Sequence, residues 1–183
     1  MKCDNYKQFM LMNDNELNNL ITLNLSYNNL VDDDLNEMFI YKLKKCINLK
    51  YLYLFKNELT TLSENIFDKL VNLKSLRLHN NQLTTLSENI FDKLVNLKYL
   101  YLYNNQLTTL SENIFDKLVN LESLDLSKIS VNNNILKIGC QEYSLEYWID
   151  NLNDIAKKHN VTNQSDILIY KTLINKYYNQ YKK

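Results

Sequence analysis

Proline is missing from this chain of 183 residues, and Gly139, Ala156 and Arg77 are the only residues of their kinds. These types share GC-rich codons, while Asn, Lys, Ile and Tyr are abundant. The bias is that of an AT-rich genome, such as some protists and giant DNA viruses have. It is a reason not to read every Tyr or Asn as selected. A single glycine excludes a P-loop or a dinucleotide loop. The two histidines, His79 and His159, stand far apart, and no spacing offers metal ligands. Cys3, Cys46 and Cys140 are odd in number and widely spaced, which is not a disulfide framework. Cys140 reads as a packed cysteine rather than a nucleophile, since too little chain follows it for a cysteine-dependent catalytic domain. No catalytic residue, cofactor or metal is expected.

An excess of charge is also lacking: 21 Lys and Arg balance 21 Asp and Glu. There is no electrostatic case for nucleic acid or an anionic membrane. The first fifteen residues hold no apolar run long enough for a signal peptide, and nothing downstream approaches a membrane span. The expectation is a cytoplasmic monomer that binds neither nucleic acid nor membrane. The sequons at Asn160–Thr162 and Asn163–Ser165 read as chance matches in an Asn-rich chain.

What the chain does have is repetition. The block TTLSENIFDKLVNL occurs unchanged at Thr60–Leu73, Thr84–Leu97 and Thr108–Leu121, a spacing of 24 residues. A fixed period of this size marks a solenoid. Between the blocks runs LxxLxLxxNxL: Leu49, Leu52, Leu54, Asn57 and Leu59, then Leu73, Leu76, Leu78, Asn81 and Leu83, then Leu97, Leu100, Leu102, Asn105 and Leu107. A diverged copy precedes these at Leu20, Leu23, Leu25, Asn28 and Leu30, and a fading one follows at Leu121, Leu124, Leu126, Ile129 and Val131. The pattern resembles the leucine-rich repeat family in its 24-residue subclass, with Ser63, Ser87 and Ser111 where that subclass has proline. The resemblance covers about residues 20–131. It implies a right-handed α/β solenoid of about five coils, with parallel strands on its concave face.

The chain then divides into an N-terminal cap over 1–19, repeats over 20–131 and a helical C-terminal cap over 132–183. Phe9, Met10, Leu11 and Leu17 are expected to cover the open end of the first coil, because a terminal repeat has no neighbour there. Leu35, Met38, Phe39, Lys42, Leu43 and Cys46 have near-helical spacing, and Asp32, Asp33 and Asp34 read as acidic residues at that helix's start. A cation site is the competing reading of the triplet, but no EF-hand loop fits. Ser63, Ser87 and Ser111 are expected to cap short helical turns. Asn28, Asn57, Asn81 and Asn105 are expected to form a ladder that satisfies backbone groups at successive turns, stopping at Ile129. Leu145, Trp148, Ile149, Leu152 and Ile155 give one helical pattern in the C-terminal cap, and Ile167 to Tyr177 another.

Comparison of the three near-identical repeats locates the candidate site. They differ at Tyr51/Ser75/Tyr99, Tyr53/Arg77/Tyr101, Phe55/His79/Tyr103, Lys56/Asn80/Asn104 and Glu58/Gln82/Gln106. The first three positions alternate with buried leucines, so they face outward on the concave side. Two explanations stand: drift after duplication, or variation for a ligand on a copied scaffold. The second is preferred, because exposed residues of the copied block have not drifted. Tyr and Arg are enriched among residues that dominate binding energy. Arg77, the single arginine among 21 basic residues, is placed to stack on Tyr53 and Tyr101 or to pair with a partner's carboxylate. The expected function is a non-enzymatic protein-binding module whose contacts are Tyr51, Tyr53, Phe55, Arg77, His79, Tyr99, Tyr101, Tyr103 and Asp125. The alternative is an adaptor whose C-terminal helices recruit a second protein, for example a ubiquitin-ligase component.

Overall fold

The computed structural model of the protein describes residues 1–107, 110–111 and 114–125. The sequence-predicted helices of 132–183, Cys140, and Ile129 with its break in the Asn ladder all lie outside the described residues.

Six short strands form one open, all-parallel sheet in chain order: β1 (Lys2–Cys3), β2 (Thr22–Asn24), β3 (Tyr51–Tyr53), β4 (Ser75–Arg77), β5 (Tyr99–Tyr101) and β6 (Ser123–Asp125). The register is that of the repeat. Leu23, Leu52, Leu76, Leu100 and Leu124 lie side by side, flanked by the row from Thr22 to Ser123 and the row from Asn24 to Asp125. Each strand is short because only three residues alternate before the chain must turn back. The turn uses a left-handed residue: Tyr27, Lys56, Asn80 and Asn104 have φ of 59°, 53°, 54° and 53°. Asn tolerates that conformation better than Lys or Tyr.

The leucines of the repeat pattern fill the interior, and Phe67, Phe91 and Phe115 are 0–1% exposed. These three rings stack nearly parallel at 6.4 and 6.1 Å, forming a spine under the return path. Each such side chain contributes about 1.5–3 kcal/mol by leaving water. The serine-headed turns do form, but the serine carbonyl closes them: Ile66, Ile90 and Ile114 donate N–H bonds to Ser63, Ser87 and Ser111 C=O at 3.1, 3.2 and 3.2 Å.

The N-terminal cap contains more than a cover. Besides helices α1 (Tyr6–Leu11) and α2 (Asp14–Asn18), it adds strand β1 to the sheet edge. Phe9, Met12 and Leu17 are buried and Met10 packs against the core, whereas Leu11 is 78% exposed. The expected role of Leu11 passes to Met12, because α1 ends at Leu11 and its last turn directs the next residue inward. The Asp triplet is likewise displaced from its expected place. It occupies a separate 3-10 turn (Asp32–Leu35), and α3 (Glu37–Lys45) starts after Asn36, whose side chain accepts from Met38 and Phe39 N–H at 3.1 Å each. Asp32 instead accepts four hydrogen bonds from the backbone and hydroxyls of Thr60 and Thr61. Burial pushes its carboxyl up, but those four bonds together outweigh burial and hold it below its ordinary value. Cys3 and Cys46 are buried and free. Burial, with Cys3 adding and Lys42 opposing, raises the Cys46 thiol to about 12, so it is no nucleophile.

Candidate functional site

Two ladders of asparagine hold the coils in register beneath the site. In the buried ladder, Asn57 accepts from Asn28 and Leu30 N–H, both at 3.0 Å, and donates to Leu25 and Leu54 C=O, both at 2.9 Å. Asn81 accepts from Leu59 N–H and donates to Leu54 and Leu78 C=O; Asn105 accepts from Leu83 N–H and donates to Leu78 and Leu102 C=O. Asn28, at the end of the row, is half-buried; it donates to Ser26 C=O and accepts from Tyr6 N–H of the cap. The exposed ladder escaped the reading of the sequence. Asn48, Asn72, Asn96 and Asn120 each donate to a carbonyl of the preceding coil, on Asn18, Ile47, Val71 and Val95, at 2.8–2.9 Å. The signal was present: an Asn stands before the leucine that closes every return path.

On this frame the concave side chains lie in three rows. The middle row runs Asn24, Tyr53, Arg77, Tyr101, Asp125. Arg77 lies between two rings, its guanidinium carbon 4.8 Å from the Tyr53 centroid and 5.2 Å from that of Tyr101. Its Nε is buried without a hydrogen-bond partner among the described residues. One row further along, His79 is stacked between Phe55 at 4.5 Å and Tyr103 at 4.3 Å, with Tyr27 edge-on to Phe55 at 5.5 Å. His79 is 7% exposed, and its Nδ1 likewise has no hydrogen-bond partner among the described residues. Burial first, then the charges of Arg77 and Lys56 against the opposing pull of Asp125, lower its pKa to about 4, so it is neutral at pH 7. Burial, reinforced by Asp125, raises the Tyr103 phenol.

The remaining row is looser. Tyr51, Ser75, Tyr99 and Ser123 are in register, and Ser75 is 3% exposed while Tyr99 is 37% exposed. The Tyr99 hydroxyl donates to Glu122 at 2.8 Å, and Glu122 also pairs with Lys98. The structure therefore brings Tyr53, Arg77 and Tyr101 together, and Phe55, His79 and Tyr103 together. Tyr51 and Tyr99 stand apart on either side of Ser75. No group of His, Cys, Asp and Glu suited to a metal ion occurs among the described residues, and none of their helices is long and apolar enough to cross a membrane. The surface offers flat aromatic faces around a fixed cation.

Three family profiles match the chain: "Leucine rich repeat" over residues 71–135, "Leucine Rich repeats (2 copies)" over 47–91 and "Leucine Rich Repeat" over 19–39. Among curated proteins none matches. Among solved structures, the chain is similar to one from the Toll–Spatzle complex, described as a molecular hub in Drosophila development and innate immunity, with 35% identity and a TM-score of 0.51. The match covers 60% of this chain and 14% of that one, so it spans a small fraction of the larger protein. The recurrent leucines, the in-register parallel sheet and these matches agree: the chain is a leucine-rich-repeat protein.

Proposed function

We propose that this protein is a non-enzymatic interaction module that binds a protein partner on its concave, tyrosine-rich strand face. The observation that carries the reading is the arrangement of β3, β4 and β5. Three near-identical coils present different side chains only where those side chains face outward or sit in the adjoining turn. Tyr51, Tyr53, Tyr99 and Tyr101 are partly or well exposed there, and a rigid aromatic surface binds at low entropic cost. The solved relative is itself part of a protein complex, which fits a protein partner.

The test is capture from native lysate by the parent and by a variant carrying Tyr51→Ser, Arg77→Ala, Tyr99→Ser and Tyr101→Ser, with circular dichroism to establish that the variant folds. A partner retained by the parent and lost by the variant is the expected result. The same partner held equally by both would remove the concave face from the proposal.

A further inference from the structure

The concave face is not electrically even. At its β6 side, Glu122 pairs with Lys98 and accepts from Tyr99; at its β1 side, Lys2 pairs with Asp4 at 3.1 Å. Between these two pairs stand Lys50, Lys74 and Arg77, none of which has an ion pair among the described residues, while Asp125 adds a carboxylate at the β6 end of Arg77's row. Lys50 and Lys74 immediately precede the strands that carry Tyr51 and Ser75, and both are exposed. The geometry at Arg77 is more restrictive. Tyr53 and Tyr101 flank its guanidinium carbon at 4.8 and 5.2 Å, so a ligand meets it from the gap between the two rings. A guanidinium edge presents parallel N–H groups, which match a carboxylate approached in its plane. The flanking rings restrict the guanidinium and lower the entropy lost on pairing. The two outer tyrosines, Tyr51 and Tyr99, leave flat faces beside this point for a ring from the ligand.

Resting on the concave-face reading above, we infer that the partner presents an extended acidic segment, one carboxylate entering edge-on at Arg77 between Tyr53 and Tyr101, with neighbouring acidic groups near Lys50 and Lys74 and an aromatic side chain against Tyr51 or Tyr99. Burial is the first cause of the low His79 pKa; Arg77 and Lys56 lower it further, and Asp125 opposes them. The site is too poor in cations to hold a nucleic-acid backbone by charge, since such binding draws on many phosphate contacts.

The experiment is selection from a displayed library of random linear peptides against the immobilised full chain. Selected peptides are then measured by fluorescence anisotropy, beside a labelled oligothymidylate. Enrichment of Asp or Glu next to an aromatic residue is expected. Arg77→Ala should weaken the selected peptides by at least about tenfold, the scale of losing a desolvated charge-assisted bond. Arg77→Lys should restore only part of that, because a point charge lacks the fork. The double variant Lys50→Glu with Lys74→Glu, which leaves the stacked centre untouched, should also weaken them. A basic or uncharged peptide pool that is lost on Tyr51→Ser with Tyr99→Ser would overturn this inference while leaving the concave-face reading intact. Peptides held equally by Arg77→Ala, or tighter binding of the oligothymidylate, would also overturn it. A pool held equally by every face variant, or no pool at all, would sink both.

Discussion

The two sides of one coil are built on different terms. On the return path, three consecutive coils are letter-for-letter identical, and many of their side chains bond to the equivalent residue or backbone one coil away. Phe67, Phe91 and Phe115 stack on one another, and Asn72, Asn96 and Asn120 each reach the preceding carbonyl. On the strand face the coils differ, yet the residues still interlock. Arg77 fits between Tyr53 and Tyr101, and His79 between Phe55 and Tyr103. The first side achieves contact by repeating one residue, the second by setting unlike residues side by side. A repeated residue makes a surface with no direction. Unlike neighbours make a surface with a centre, and only the second kind can distinguish one partner from another.

The comparison breaks most visibly at the spine. Phe91→Ala removes the middle ring and leaves a cavity between two coils, so a loss of about 3–5 kcal/mol is expected. Urea denaturation followed by circular dichroism measures it. Because each coil depends on its neighbours, the transition should broaden as the two halves of the array lose coupling. Tyr53→Ala, on the other side of the same array, should cost less, since that ring is only partly covered. Equal losses would mean that the strand face is as structural as the spine.

Asn81→Ala comes next. It strands the Leu59 N–H in the interior and takes one of two side-chain donors from the Leu54 and Leu78 carbonyls, which keep Asn57 and Asn105. A buried donor without a partner costs about 1–3 kcal/mol, and a loss in that range is expected. Asn81→Asp at neutral pH should be at least as harmful, because the acceptor oxygen is kept while the donor is replaced by a charge. A loss confined to a few tenths in either variant would show that the turn can be satisfied without the asparagine.

The strand face also has a signature in pH. His79 has a folded-state pKa of about 4 against an ordinary 6.5, so the unfolded chain takes up a proton first. Stability that is constant above pH 6.5 should therefore fall as pH drops toward 4 and change no further below it through this group. His79→Phe, which keeps a flat ring in the stack, should flatten that decline while leaving stability at pH 8 within about 1 kcal/mol. Asp32 acts in a lower window. Its pKa is held below the ordinary 3.8, so its contribution is complete above that value and is lost as pH falls through the folded-state pKa. Thermal melts of parent, His79→Phe and Asp32→Asn across pH 2–8 (an experimental range of roughly six units around these groups) separate the two. A decline between 6.5 and 4 that survives in His79→Phe would assign it elsewhere.

Much of this architecture was legible because the chain says it several times. The inward leucines fix the strand register, and β3, β4 and β5 begin at equivalent positions of the pattern. What is said only once was harder to read. Strand β1 is two residues long, too short for alternation to mark it, and it exists because β2 has an open edge beside it. Leu11 and Met12 are adjacent and similar in hydrophobicity, and only the end of α1 decides which is buried. The Asp triplet looks like a helix start, but Asn36 is the better cap and takes that place. At the candidate site, the rows of outward residues follow from alternation, whereas the burial of Ser75 and His79 does not. A serine or histidine on an outward position is covered only if its neighbours are large and lean over it, which is a property of three coils together. The left-handed turn at Lys56, Asn80 and Asn104 also lies beyond alternation, though it explains why one of the varied positions favours asparagine.

The smallest effect is the most informative about why the return path is uniform. Asn96→Ala removes one exposed hydrogen bond, to Val71 C=O at 2.9 Å, and water replaces it at once. The expected cost is about 0.5–1 kcal/mol. Replacing Asn72, Asn96 and Asn120 together should cost about two to three times as much, because the sites lie in successive coils and each acts on a different carbonyl. If the costs add in this way, the identity of the copied blocks has a structural reason at these positions, and other exposed positions such as Glu64, Asn65, Lys69 and Val71, with their equivalents, are left for recent duplication to explain. If the triple variant is as stable as the parent, exposure alone tells how much these asparagines matter. The uniform side would then record how recently the coils were copied, and the contrast with the strand face would rest on the strand face's own variation, the stronger ground for assigning that face to a partner.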